Sequence, residues 1–164
     1  MAKPTKYAPH ICTAVSVCAL IGIIMGLLNQ SPMTIILGLL PAAIYEAYRT
    51  EGKSTKAASL LILVIIAVEI ILLFLDIEFN LATYLGTSRK NIGGYLVPLG
   101  DIKVVGPTMM AALAAVLFAR TRGVYTRWLA VTIFITSLTL VYTVDPVAFQ
   151  ELLQYVAREA FRKI

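Results

Sequence analysis

The feature that most constrains the fold is an apolar segment from Ala57 to Leu75. It contains nineteen residues and one charged side chain, Glu69, near its middle. At 1.5 Å per residue, a helix of this length is about long enough to cross a hydrocarbon core of about 30 Å. A charged carboxylate inside the bilayer costs at least about 2.5 kcal/mol on insertion scales. Glu69 therefore indicates either a buried partner or a function.

The rest of the sequence predicts an all-α membrane protein, a five-transmembrane-helix bundle with a C-terminal amphipathic helix. Charged residues make up 14% of the chain, whereas soluble domains carry about 25%. The predicted helices span about residues 11–28, 32–49, 57–85, 104–119 and 128–144, within a bundle domain over residues 1–144. Residues 145–164 are predicted as the amphipathic helix, because Asp145 and Pro146 are typical of a helix start and apolar side chains then recur on one side.

Small residues recur at intervals of four in several of the predicted helices. This pattern lets the backbones of neighbouring membrane helices approach closely. The residues assigned to helix packing on this basis are Gly22, Gly26, Gly38, Ala42, Ala111 and Ala115. We expect these faces to hold the helices together rather than to bind a ligand.

Polar residues continue the face on which Glu69 lies. Asp76 follows Glu69 by seven residues and therefore lies on the same side of a helix, and Asn80 extends this stripe. A helix running from Ala57 to Leu85 would be about 43 Å long and would project beyond the hydrocarbon or tilt. A second acidic residue, Glu46, is expected to be an interfacial carboxylate near Arg49 or Lys53.

The fifth predicted helix offers the most polar face that could meet Glu69. Thr132, Thr136 and Thr139 share that face. The threonine pattern is not decisive, because a threonine hydroxyl also bonds readily to the carbonyl four residues earlier in its own helix.

Two interpretations of Glu69 remain open. Apart from Arg49 at the end of the second helix, no lysine, arginine or histidine lies inside any predicted span. Glu69 therefore has no internal cation to pair with, and burial favours the neutral acid. In the structural interpretation, neutral Glu69 bonds to a threonine hydroxyl or a carbonyl, or pairs with a residue of another subunit. In the functional interpretation, Glu69 exchanges a proton or binds a cation, and Asp76 and Asn80 form the route outward.

Basic residues lie mainly at the ends of the apolar segments, and the net charge is +5. With five crossings, eight of the 14 basic residues fall on one side: Lys3, Lys6, Arg49, Lys53, Lys56, Arg120, Arg122 and Arg127. Because short cytoplasmic loops are rich in lysine and arginine, we expect an integral protein of the cytoplasmic (plasma) membrane with a cytoplasmic N-terminus. The lipid bilayer is the expected partner, and nucleic acid is not.

The motifs of catalysis and metal binding are missing from the sequence. His10 is the single histidine, and no HExxH, Walker or GxGxxG pattern occurs. We therefore expect no metal, no cofactor and no enzymatic activity. The favoured function is a non-catalytic integral subunit or scaffold of a larger membrane protein complex, with other subunits or further copies of the chain as partners. The alternative is a small proton- or cation-coupled transporter or channel that uses Glu69.

Overall fold

The structure, a computed structural model, describes residues 6–75, 89–92, 95–98, 102–150 and 154. Within these residues the chain forms five long helices: α1 (Ala8–Leu28), α2 (Pro32–Arg49), α3 (Lys53–Phe74), α4 (Ile102–Arg120) and α5 (Val124–Val144). Between α3 and α4, strands β1 (Arg89–Ile92) and β2 (Tyr95–Pro98) pair as an antiparallel hairpin with Arg89 opposite Pro98. The predicted helical bundle is confirmed, and the hairpin lies in the connection between the third and fourth predicted helices.

Four helices of the described chain are long and apolar enough to cross a membrane. They are α1, α3, α4 from Lys103 onward, and α5. Helix α2 is outside this group, and its 18 residues include Pro41, Glu46 and Arg49. It lies between other helices, in contact with α1, α3 and α5. Its polar residues are therefore shielded by neighbouring helices, and α2 needs less apolar surface than a helix that faces lipid.

The five helices form a closed ring. Neighbours along the chain pack against each other, α5 packs back onto α1, and α2 and α5 meet across the ring. The largest fully buried apolar side chains are Ile35, Ile36, Leu39, Ile62, Ile66, Met110, Leu117, Leu129, Ile133 and Leu140. Large apolar side chains also cover the outside, among them Ile24, Val64 and Ile135. Such a surface is typical of a bundle surrounded by lipid and unfavourable in water.

Helices α1 and α2 approach each other through two glycines. A Cβ built on Gly22 would lie 2.8 Å from Cα of Gly38, so the two backbones are in direct contact. The turn between the helices is equally tight. Gln30 adopts the left-handed conformation with φ 49°, and the amide of Ser31 donates to the carbonyl of Gly26 at 2.9 Å. This Schellman arrangement ends α1 and reverses the chain within three residues.

Several helices begin earlier than the apolar pattern predicted. Helix α1 starts at Ala8, α3 at Lys53 and α5 at Val124, whereas the predicted starts were near residues 11, 57 and 128. The reason is physical: a helix extends into the polar interface, whereas the prediction counted apolar residues. Helix α3 ends at Phe74 with Leu75 as its C-cap. The remainder of the predicted 57–85 helix lies outside the described residues.

The C-terminal segment begins as a capped helix. The Asp145 carboxylate accepts hydrogen bonds from the amides of Val147 and Ala148, both at 3.0 Å. Residues 146–150 are helical. Most of the remaining tail lies outside the described residues, so the amphipathic helix over 145–164 stays a prediction.

The α2–α3 and α4–α5 connections meet at one end of the ring. Nη1 of Arg120 donates to Oγ of Ser54 at 3.2 Å. The Arg49 guanidinium lies 5.1 Å from the centre of the Tyr125 ring. Basic residues that are distant in the sequence therefore share one end of the bundle, which we call the basic end.

Candidate functional site

Glu69 is enclosed between α3 and α4. Its side chain is 2% exposed. A Cβ built on Gly106 would lie 2.7 Å from Oε2 and 3.3 Å from Oε1 of Glu69, so the carboxyl group occupies the space that a side chain at position 106 would take. Gly106 therefore creates the room in which this carboxyl group is buried.

Glu69 lies closer to one end of the bundle than its place in the apolar segment suggested. Helix α3 extends upstream to Lys53 and ends at Phe74, so Glu69 lies about 7.5 Å from the end of the helix at 1.5 Å per residue. Gly106 is likewise near the start of α4, which begins at Ile102. The carboxyl group thus lies near the end of the α3–α4 interface that is opposite the basic end.

A buried lysine lies one turn before Gly106 on α4, and the apolar pattern of the sequence did not indicate it. Lys103 is 9% exposed and belongs to the candidate span of α4. It precedes Gly106 by three residues and therefore lies on the same side of α4. The expectation that no cation lies inside a span is wrong here, because the predicted helix began at Val104 and assigned Lys103 to a loop. Gly106 thus has the Glu69 carboxyl group against it and a buried lysine one turn earlier in its own helix.

The threonine face of α5 is satisfied by the helix's own backbone. The hydroxyls of Thr132, Thr136 and Thr139 donate to the carbonyls four residues earlier, at 3.1, 2.8 and 3.0 Å. Each hydroxyl has a single proton to donate, and it is directed into α5. Helix α3, which carries Glu69, packs against α2 and α4.

One of these threonines takes part in the contact between α5 and α1. Oγ of Ser16 lies 3.3 Å from Oγ1 of Thr132, and the indole Nε1 of Trp128 donates to the same Ser16 oxygen at 3.0 Å. Because the Thr132 proton is used within α5, Ser16 donates to Thr132 and accepts from Trp128. These hydrogen bonds connect α5, the last helix of the ring, to α1.

Most of the small residues assigned to helix packing are buried in the structure. Gly22, Gly26, Gly38, Ala42 and Ala111 are buried. Ala115 is exposed and instead lines an apolar groove on the outside of α4 and α5. The other two residues assigned to the polar stripe, Asp76 and Asn80, lie outside the described residues.

A second carboxyl group is buried in α2, near the basic end. Glu46 is 1% exposed, and Oγ1 of Thr50 donates to its Oε1 at 2.7 Å. In the described part of the chain, Oε2 of Glu46 has no hydrogen-bond partner. Glu46, expected near Arg49 at the membrane interface, is thus covered by neighbouring helices. Nη1 of Arg49 donates to the Tyr45 hydroxyl at 3.5 Å.

Among the described residues, no group of three or more histidine, cysteine, aspartate or glutamate side chains could hold a metal ion. Comparison of the chain with known protein families, with curated proteins and with solved structures gives no match. Fold and site together define a helical bundle with four candidate membrane-spanning helices and two buried carboxyl groups.

Proposed function

We propose that this protein is a non-catalytic integral membrane subunit or scaffold of a larger membrane complex. The observation that carries the proposal is the position of Glu69, whose carboxyl group fills the space beside Gly106 in a closed helix interface. A group in that position serves helix packing. Glu69 lines neither the groove between α4 and α5 nor the cleft at the basic end.

The proposal includes five crossings, with α2 as the fifth. Helix α2 is joined to α1 and α3 by short connections at residues 29–31 and 50–52, and it packs against both helices. If α1 and α3 cross the bilayer, α2 must carry the chain back across it. The basic end then faces the cytoplasm, together with the N-terminus, because short cytoplasmic loops are rich in lysine and arginine.

The apolar groove between α4 and α5 supports a protein partner. It has a volume of about 290 Å³ and is lined by Ala114, Ala115, Phe118, Ala130, Val131 and Phe134. Small residues form its floor, and phenylalanines flank them. This arrangement suits the close approach of a helix from another subunit or from a second copy of the chain.

Affinity purification from the native membrane in mild detergent, followed by mass spectrometry, tests the proposal. We expect other membrane chains, or a second copy, to co-purify with the protein. Ala115→Leu fills the groove at an exposed position and should reduce recovery of the partner. Ala67→Leu makes the same change at an exposed position on α3 and should leave recovery unchanged. A monodisperse protein that purifies alone from every mild detergent would reject the proposal.

One observation favours the alternative, a small proton- or cation-coupled transporter or channel. Glu69 and Lys103 are both buried, and ionisable residues inside membranes often mark ion pathways. Purified protein in liposomes would then show pH-dependent flux that Glu69→Gln abolishes and Glu51→Gln, at an exposed site, retains. Absence of flux in the wild-type protein would exclude this alternative.

A further inference from the structure

A cleft of about 580 Å³ opens at the basic end, where the α2–α3 and α4–α5 connections meet. Its lining combines arginines, threonines and the start of α5. The residues are Arg49, Glu51, Thr55, Arg120, Thr121, Arg122, Gly123, Val124, Tyr125 and Thr126. Three arginines against one glutamate make the cleft positively charged. We refer to it as the arginine cleft.

Two of the arginines are held in place and still have donors to offer. Arg49 is stacked on the Tyr125 ring and donates to Tyr45, and Arg120 donates to Ser54. Each guanidinium carries five N–H donors. The hydrogen bonds seen in the described chain use one donor of each group, so several remain available to a ligand. Held arginines lose less conformational entropy when an anion binds.

The start of α5 adds backbone donors to the cleft. Gly123 is the N-cap residue, and no side chain accepts a hydrogen bond from the first-turn amides. The Thr126 hydroxyl is close enough to act as a cap, but it donates to the Gly123 carbonyl at 2.8 Å instead of accepting from a first-turn amide. Uncapped amides at a helix start attract anions.

A buried hydroxyl in the cleft wall also lacks a partner. In the described part of the chain, Oγ1 of Thr121 is buried and makes no hydrogen bond. A buried hydroxyl without a partner costs free energy. Rotation of this side chain about its Cα–Cβ bond toward the cleft would allow the hydroxyl to donate to a bound oxyanion.

We propose that the arginine cleft binds a phosphate group. Guanidinium groups bind phosphate oxygens in pairs, and the α5 amides complete a set of donors suited to a tetrahedral oxyanion. Because the cleft lies at an end of the bundle where the membrane helices emerge, the phosphate belongs either to the headgroup of an anionic phospholipid or to a soluble phosphate compound.

Two binding measurements distinguish these sources. In the first, inorganic phosphate is titrated calorimetrically into the protein in phosphatidylcholine nanodiscs. In the second, native mass spectrometry compares retention of phosphatidylglycerol with that of phosphatidylcholine. Phosphate binding without preference for phosphatidylglycerol identifies a soluble compound, and preferential retention of phosphatidylglycerol without phosphate binding identifies the lipid headgroup.

Paired variants separate the cleft from general charge effects. Arg120→Gln with Arg122→Gln should weaken binding at least about tenfold, because each removes a charge-assisted contact. Lys53→Gln with Lys56→Gln removes the same charge at the same end without lining the cleft, and should change binding less than about twofold. Equal losses in the two pairs, or no binding in either measurement, would overturn the proposal.

A third variant tests anion binding without destabilising the protein. Thr121→Val removes the buried hydroxyl and keeps the shape of the side chain, so the unliganded protein should be as stable as the wild type or more so. Binding should nevertheless fall about threefold to tenfold, because one donor to the anion is lost. Unchanged binding by a folded Thr121→Val protein would remove this hydroxyl from the site.

Discussion

Glu46 and Glu69 are buried to a similar degree in different surroundings. Glu46 receives a hydrogen bond from Thr50, one turn later in its own helix. Glu69 is accommodated by the missing side chain of Gly106 on a neighbouring helix. The first group thus depends on a donor in α2, and the second depends on the distance between α3 and α4.

The Thr50–Glu46 bond leads to a stability prediction. Thr50→Val should lower the free energy of unfolding by about 1–3 kcal/mol, because the buried carboxyl group loses a hydrogen bond and stays buried. Unfolding in detergent can be followed by the fluorescence of the single tryptophan, Trp128. Thr13→Val is the control, since the Thr13 hydroxyl is exposed and bonds within its own helix.

A second substitution identifies the cause of the loss. Adding Glu46→Leu to Thr50→Val removes both polar partners, and should recover part of the stability lost in the single variant. Equal stabilities of the Thr50→Val and Thr13→Val proteins would show that the Thr50 bond contributes nothing measurable.

For individual residues, the sequence indicated that Glu69 is unusual but did not indicate which residues lie near it. Glu69 is conspicuous because one charge interrupts a long apolar segment. Gly106 carries no such signal, since its importance depends on which atoms of another helix face it. Lys103 was recognisable only with the correct start of α4, and apolar periodicity places helix ends poorly.

Among the elements, helices α1 and α2 are in direct contact at their backbones. Gly22 faces Gly38 backbone to backbone, whereas a Cβ on Gly26 would overlap Cγ1 of the Ile35 side chain. The two glycines therefore face different obstacles. A side chain can be shortened by mutation, but a backbone cannot.

Replacing either glycine by alanine changes stability through two opposing effects. Alanine favours a helix over glycine by up to about 1 kcal/mol, and overpacking costs about 1–3 kcal/mol. Gly22→Ala and Gly26→Ala should therefore each be neutral or destabilising by up to about 2 kcal/mol in the same unfolding assay.

Truncation of Ile35 should distinguish the two glycines. Ile35→Ala should relieve Gly26→Ala, with a coupling free energy of about 0.5–3 kcal/mol, and should not relieve Gly22→Ala. Equal coupling in both pairs would contradict the contacts described for α1 and α2.

The small-residue pattern was only partly informative about the elements. A strict interval of four rotates by about 40° at each step on a helix of 3.6 residues per turn. Gly22 and Gly26 therefore lie on the buried face of α1. Ala14 and Cys18, which precede Gly22 by eight and four residues, are exposed. In α4 the same drift separates buried Ala111 from exposed Ala115.

Taken as a whole, the molecule has one basic end, formed by connections that are distant in sequence. The alternation of apolar segments and charges was sufficient to predict that Arg49 and Arg120 share a side, because helices in a bundle with short loops run back and forth. The cleft between them could not be predicted, since it depends on how α2, α3, α4 and α5 are arranged around the ring.

The proposed orientation can be checked by cysteine labelling. In a background with Cys12→Ala and Cys18→Ala, an impermeant maleimide applied to intact cells should label Asn29→Cys. Glu51→Cys should be labelled only after the membrane is permeabilised, because residues 29 and 51 lie at opposite ends of α2. Labelling of Glu51→Cys in intact cells, with Asn29→Cys protected, would show the opposite orientation.

The contact of Ser16 with Trp128 has a consequence for synthesis of the chain. These residues are 112 positions apart, and at about 5–20 residues per second the ribosome needs roughly 6–22 s to pass from one to the other. During that interval α1 and α2 can pair through Gly22 and Gly38, but the side of α1 that later receives α5 faces lipid or another protein. Completion of the ring therefore waits for the last helix, and a factor that protects nascent membrane helices has these seconds in which to act at Ser16.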